Sequence, residues 1–225
     1  MQVIHKQDLH YGGFAGLKEH RIVMDSSVFG SHKNKGTADG LGSLLYLADA
    51  QFNPFGETLM HPHHEVDVIT VMIKGSVRHE GSLAHGTLVK AGEVQVQRAG
   101  AEGLQHNEIN PDAQPNRLIQ LWFAPPRQGE KAQYQHFSKQ EEQVMLVYGA
   151  NNGKTFASNT CMEIVSLKKG DVFSRRGSAQ MYVTKGVLSI LNTQVKDGDF
   201  LTTQDISITA DEESEFIFIS LINQV

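Results

Sequence analysis

The stretch Val66-Asp67-Val68-Ile69-Thr70-Val71-Met72-Ile73-Lys74-Gly75-Ser76-Val77-Arg78-His79-Glu80-Gly81 decides the fold class. Val66 to Ile73 is a β-branched run that stops at Lys74-Gly75. Ser76 to His79 follows and closes at Glu80-Gly81. Such runs, bounded by turn residues, read as strands joined by tight turns. The same punctuation continues downstream. Gly86 to Val89 is closed by Lys90-Ala91-Gly92-Glu93, Val94-Gln95-Val96-Gln97 alternates with period two, and Arg117 to Phe123 is stopped by Pro125-Pro126. Short strands at close spacing predict an all-β sandwich or barrel.

Working outward, Val3 to Lys6, Glu19 to Met24 and Leu44 to Ala48 are strand candidates. Tyr11 to Gly16 is too glycine-rich for regular structure. Gln128 to Gln140 is polar and reads as a linker, with a short helix around Ser138 to Val144. Beyond it lie strand candidates at Gln143 to Tyr148, Met162 to Leu167, Gln180 to Lys185, Val187 to Leu191, Ile206 to Thr209 and Phe216 to Leu221. Turns are expected at Asn151-Asn152-Gly153, Lys169-Gly170-Asp171 and Lys196 to Asp199. The halves resemble each other: Lys74-Gly75-Ser76-Val77 parallels Lys185-Gly186-Val187-Leu188, and Lys90-Ala91-Gly92-Glu93-Val94 parallels Lys196-Asp197-Gly198-Asp199-Phe200. Two copies of one small barrel is the economical reading.

The bulk numbers narrow the function. Of 225 residues, 40% are hydrophobic and 20% charged, the balance of a globular chain with a real core. A net charge of −5 with scattered Lys and Arg argues against direct nucleic-acid or membrane binding. No stretch approaches a membrane span, and Met1 to His10 lacks the apolar run of a signal peptide. Cys161 is the single cysteine, so no intramolecular disulfide forms. It reads as a small buried hydrophobe in a chain of cytoplasmic location.

The chemistry lies in His61-Pro62-His63 and His106-Asn107-Glu108. Each offers two metal-capable side chains at i and i+2, which share one face of a strand. Two neighbouring strands so equipped would converge His61, His63, His106 and Glu108 on one point. Three imidazoles and a carboxylate suit a first-row transition metal, with positions left open for substrate or dioxygen. His-Pro-His could also be an ordinary turn, and a lone strand histidine is usually a plain polar residue. His64 has the wrong parity to join the set. His79 and His85 flank a hairpin and read as exposed, and His5, His10, His20, His32 and His136 read as surface residues. None of the eleven histidines follows His136.

Residues 57–108 carry a resemblance. The elements are Glu57-Thr58-Leu59-Met60-His61-Pro62-His63, Gly75-Ser76-Val77-Arg78-His79-Glu80-Gly81-Ser82-Leu83, Ala91-Gly92-Glu93-Val94-Gln95 and Ala99-Gly100-Ala101-Glu102-Gly103-Leu104-Gln105-His106-Asn107-Glu108. Their order and spacing resemble the pirin family of the cupin superfamily. The resemblance implies a bicupin: two cupin-type β-barrels of the jelly-roll kind with few short helices. Residues 1–135 would form the metal-binding barrel and residues 136–225 a metal-free one. It implies Fe(II) on His61, His63, His106 and Glu108, although these ligands would also accept Ni, Mn, Cu or Zn. The carboxylate that other cupins carry five residues after the second histidine would fall on Val68, and pirins lack it there.

The implied activity is similar to quercetin 2,3-dioxygenase. A flavonol would bind at the metal through its deprotonated 3-hydroxyl, and dioxygen would open the ring, releasing carbon monoxide and a depside. Glu108 would serve as ligand and as acceptor of the substrate proton. Gln95, Met60, Met72 and Trp122 are candidate pocket residues, each equally readable as barrel core. The alternative is a non-enzymatic iron-dependent module acting on a transcription factor or metabolic enzyme, and a monomer is expected in either case. Departures from the family pattern at Asp67, Ala101-Glu102 and Asn107 sit beside the ligands and point to substrate choice.

Overall fold

The structure is a computed structural model that describes residues 1–150 and 153–222, so two of the three residues of the expected Asn151-Asn152-Gly153 turn lie outside the described residues. The chain divides into two compact units, one of Leu9–Lys139 and one of Met1–Asp8 with Gln140–Val225. Both are built of antiparallel strands, as the turn spacing predicts. The expectation of a 1–135 and a 136–225 domain differs from this division at two places. Gln2–His5 pairs with Asp199–Thr202, so the first residues belong with the later part of the chain. Gln133–Phe137, read as part of a linker, is a strand paired with Val94–Arg98. Its polar residues suit an edge strand, where one side of the ladder meets solvent.

The Leu9–Lys139 unit consists of two sheets rather than a closed barrel. The seven-stranded sheet runs, in spatial order, Gln133–Phe137, Val94–Arg98, Asp67–Lys74, Arg117–Phe123, Leu44–Phe52, Leu17–Met24 and Tyr11–Phe14. The four-stranded sheet runs His61–His63, Leu104–Ile109, Ser76–Gly81 and Leu88–Lys90. The two inner faces meet in a core where Val77 and Val89 of the smaller sheet pack with Leu17, Phe52, Met72 and Leu118 of the larger. The all-β cupin-like architecture holds, and the sheets stay open because each ends in an edge strand.

The glycine-rich Tyr11 to Gly16 segment is not irregular. Tyr11–Phe14 pairs with the Leu17–Met24 strand around a two-residue turn in which Ala15 has φ +48°. Glycine is required there by close approach: a Cβ on Gly13 would lie 2.2 Å from the Leu17 carbonyl oxygen. The expected helix around 138–144 is absent, and Val144 instead opens the Val144–Tyr148 strand paired with Thr160–Leu167. Helix is confined to Ser26–Phe29, capped by the Asp25 carboxylate, and two three-residue turns among the described residues.

Among the described residues the second unit is one eight-stranded sheet. Its two long strands, Val172–Lys185 and Asp199–Ala210, pair with a bulge between Arg175 and Ser178. A bulge bends a strand, and residues from both sides of it, such as Phe173 and Met181, lie in one apolar core with Phe216 and Phe218.

Candidate metal centre

The paired spacing converges as the strand geometry requires. His61–His63 lies antiparallel to Leu104–Ile109 with His61 opposite His106 and His63 opposite Leu104. The Nε2 atom of His106 is 3.0 Å from that of His61 and 3.1 Å from that of His63. Among the described residues these three histidines form a cluster able to hold a metal ion. At metal–nitrogen bonds of about 2.0–2.1 Å, donors at right angles sit roughly 3.0 Å apart, so the two separations from His106 fit His61 and His63 each cis to it on one ion. The tautomers fit as well. Nδ1–H of His61 donates to the Leu59 carbonyl at 2.8 Å, which leaves its Nε2 lone pair facing the other rings. Burial, then the His61 neighbour, lowers the His63 pKa to about 4. Burial and the surrounding imidazoles lower that of His106 to about 2. Both are neutral donors at physiological pH.

Glu108 lies two residues beyond His106 and shares its face of the strand. It stands apart from the three-imidazole cluster but lines the same cavity. Its Oε1 accepts bonds from Thr70 Oγ1 at 2.8 Å and Gln95 Nε2 at 2.6 Å, while its backbone N–H donates to Thr58 Oγ1. Tyr134 braces this arrangement by donating to Gln95 Oε1 at 3.2 Å. Burial raises the Glu108 pKa to about 7 against the lowering effect of the Thr70 and Gln95 bonds. A carboxyl poised there can take or return a proton near neutrality.

Above the imidazoles is a cavity of about 360 Å³. Phe14, Phe29, Tyr46 and Trp122 supply its aromatic wall, and Glu19 and Arg21 its polar end. Tyr46 stacks on Trp122 with centroids 4.6 Å apart, and Trp122 meets the His63 ring edge-on at 5.7 Å. Buried Glu19 receives bonds from Arg21 Nε and Tyr46 O–H, both at 2.7 Å. None of Phe14, Glu19, Arg21, Phe29 or Tyr46 stands out in the sequence, because Phe14, Glu19, Arg21 and Tyr46 reach the cavity through the pairing of Tyr11–Phe14, Leu17–Met24 and Leu44–Phe52, and Phe29 from the short Ser26–Phe29 helix.

The other candidates separate. Trp122 lines the cavity and Gln95 holds Glu108, whereas Met72 is core and Met60 is exposed on another cavity. His64 turns away and its Nε2–H donates to the Ala101 carbonyl. His79 is fully buried rather than exposed. It packs 5.5 Å from the His106 ring and 5.6 Å from Tyr134, because the hairpin carries it inward on the parity of Val77. Asp67 and Asn107 do not line the cavity. Asp67 is fully buried against Arg98 at 2.6 Å, and Arg98 also pairs with Glu130. Asn107 ties its strand to Glu57 and Thr58. Cys161 is half-buried rather than buried, its thiol donating to the Gly149 carbonyl.

The pirin family profile matches residues 41–123. A Zymomonas mobilis protein, provisionally named a quercetin 2,3-dioxygenase, is 32% identical over 175 residues, which span 71% of this chain and 74% of the relative. A quercetin 2,3-dioxygenase of Escherichia coli is 29% identical over 174 residues, 72% of this chain and 74% of that one. The fold is matched by the nickel(II) complex of the bacterial pirin YhhW from Escherichia coli, with a TM-score of 0.85, 22% identity and 98% of both chains covered. No helix among the described residues is long and apolar enough to cross a membrane.

Proposed function

The chain belongs to the pirin family, and on that premise we propose that it is a metal-dependent dioxygenase of the quercetin 2,3-dioxygenase type, with His61, His63, His106 and Glu108 as ligands of one divalent transition metal. The observation that carries this reading is the convergence of three imidazoles, with His106 Nε2 3.0 Å from that of His61 and 3.1 Å from that of His63, beneath an aromatic-walled cavity. The bound metal, Fe(II) by family implication, supplies Lewis acidity and a path for electrons between substrate and dioxygen. The chain's own residues do the rest. Trp122, Tyr46 and Phe29 offer an aromatic wall to an aromatic substrate. A volume of about 360 Å³ is at the small end of small-molecule sites, which run from roughly 300 to 1,000 Å³. Glu108, whose Oε1 is held by Thr70 and Gln95, would accept the proton of the flavonol 3-hydroxyl. The ring then opens with dioxygen to a depside and carbon monoxide.

The test is metal analysis of the purified protein followed by oxygen uptake with quercetin. One metal per chain, oxygen consumption, and loss of both in His61→Ala support the proposal. Glu108→Ala should abolish turnover. A protein that binds no Fe(II), Ni(II) or Mn(II) overturns the metal centre itself. One that binds metal but turns over no flavonol transfers the reading to a non-enzymatic metal-dependent module.

A further inference from the structure

Gln95 and Gln97 sit at i and i+2 on the Val94–Arg98 strand, both fully buried. They face the other sheet's pair, Glu108 and His106. Gln95 has its amide fully used, bonded to Glu108, Thr70 and Tyr134. Gln97 does not. Its amide nitrogen lies 3.2 Å from Nδ1 of His106, while its Oε1 is buried with no partner. An orphaned amide oxygen is costly inside a protein and rare in native cores.

The placement has a specific meaning for His106. With the amide nitrogen donating to Nδ1, the ring must carry its proton on Nε2, directed at the lone pairs of His61 and His63. That tautomer cannot bind a metal through Nε2. If the amide turns by 180°, Oε1 takes the same position and accepts Nδ1–H. The Nε2 lone pair is then released toward its neighbours and the orphaned oxygen is satisfied. A ring nitrogen's partner sets which nitrogen is the ligand. The two orientations of a primary amide differ only by that turn, and the one with Oε1 on Nδ1 is the one that suits His106 as an Nε2 ligand.

We propose that Gln97 is a positioning residue whose side-chain oxygen accepts Nδ1–H of His106, fixing the tautomer whose Nε2 lone pair faces His61 and His63. This rests on the metal-centre reading above. The experiment compares wild type, Gln97→Met and Gln97→Glu. It measures Fe(II) and Ni(II) affinity by chelator competition, the His106 ring tautomer by nitrogen-15 NMR with Zn(II) as the diamagnetic probe, and apo-protein melting as a control for folding. Gln97→Met should weaken metal binding roughly 10–100-fold, the range for lost partners of ligating histidines. Gln97→Glu keeps an acceptor for Nδ1–H, so it should restore affinity to wild type or above. Wild-type His106 should carry its proton on Nδ1 before and after Zn(II) addition, and Gln97→Met should lose that preference in the protein without Zn(II). Equal affinity in wild type and a folded Gln97→Met, equal losses in both variants, or a wild-type His106 that carries its proton on Nε2 before metal is added each overturn the proposal. Absence of metal binding by wild type instead overturns the centre on which it rests.

Discussion

The two units share a turn and differ in what they bury. In the first, Gly75 and Gly92 have φ of +75° and +83°. Ala91 N–H donates to the Gly75 carbonyl, Gly92 N–H to that of Met72, and Lys90 N–H to the Glu93 carboxylate. In the second, Gly186 and Gly198 have φ of +84° and +90°. Asp197 N–H donates to Gly186, Gly198 N–H to Val183, and Lys196 N–H to the Asp199 carboxylate. Bond for bond this is the same device, so the repeat seen in the sequence is structural. The interiors diverge. Ahead of its glycine turn the first unit has His61–His63 against Leu104–His106, while the second has Val172–Arg175 against Ile206–Thr209, which offers neither imidazole nor carboxylate. The lesson is that the backbone scaffold is duplicated independently of the chemistry it carries.

This comparison can be broken in order of effect. Phe216→Ala, in the apolar core of the second unit, should cost about 3–5 kcal/mol in urea denaturation. The folded fraction should still bind one metal; loss of metal in proportion would show that the second unit's core matters to the centre. Asp67→Asn should cost about as much, because it strands the buried Arg98 in a core that tolerates charge only when paired. A near-neutral result would mean that Glu130 alone satisfies Arg98.

Next comes pH, in the chelator-stripped protein. His63 and His106 have folded pKa values depressed to about 4 and about 2 from 6.5. Their contribution is therefore present above pH 6.5 and lost as pH falls. Glu108 is raised to about 7 from 4.5, so its contribution is present below 4.5 and lost as pH rises through 7. Between about 4.5 and 6.5 the unfolded chain binds protons at both histidines and the folded chain only at Glu108. The difference is one proton. Stability from these groups should fall on acidification by at most about 1.4 kcal/mol per pH unit. A flat profile across this window would contradict the buried, neutral imidazoles.

The matched turns give a smaller contrast. Asp199→Ala should cost about 1–3 kcal/mol, since Asp199 is buried and also accepts from His5 Nδ1 at 2.7 Å, tying down the Gln2–His5 strand. Glu93→Ala, at a more exposed carboxylate, should cost about 1 kcal/mol or less. Equal losses would remove the distinction. Smallest is Tyr134→Phe, which deletes one neutral hydrogen bond to Gln95 for about 0.5–1.5 kcal/mol.

Much of this was legible in the chain itself. Period-two runs and glycine turns fixed the all-β class, because side-chain alternation and positive φ are local properties. The i, i+2 pairs placed His61, His63, His106 and Glu108 on two strand faces for the same reason. The Gln95-Gln97 alternation also carried a signal: polar residues with strand periodicity, where a core-facing stripe should be apolar. What escaped was whatever depends on partners distant in sequence. The glycine-rich Tyr11–Phe14 and polar Gln133–Phe137 strands have little local propensity and exist by pairing with Leu17–Met24 and Val94–Arg98. Asp67 and Asn107 looked like specificity residues by adjacency to the ligands, yet their side chains bond to Arg98 and Glu57 away from the cavity. Sequence determined which residues could ligate, since residue type and strand parity are enough for that. Tertiary structure alone decided that Glu19, Arg21 and Tyr46 enclose the site with Trp122 and that Gln97 stands behind His106, because those placements arise only when the strands pair and the two sheets face each other.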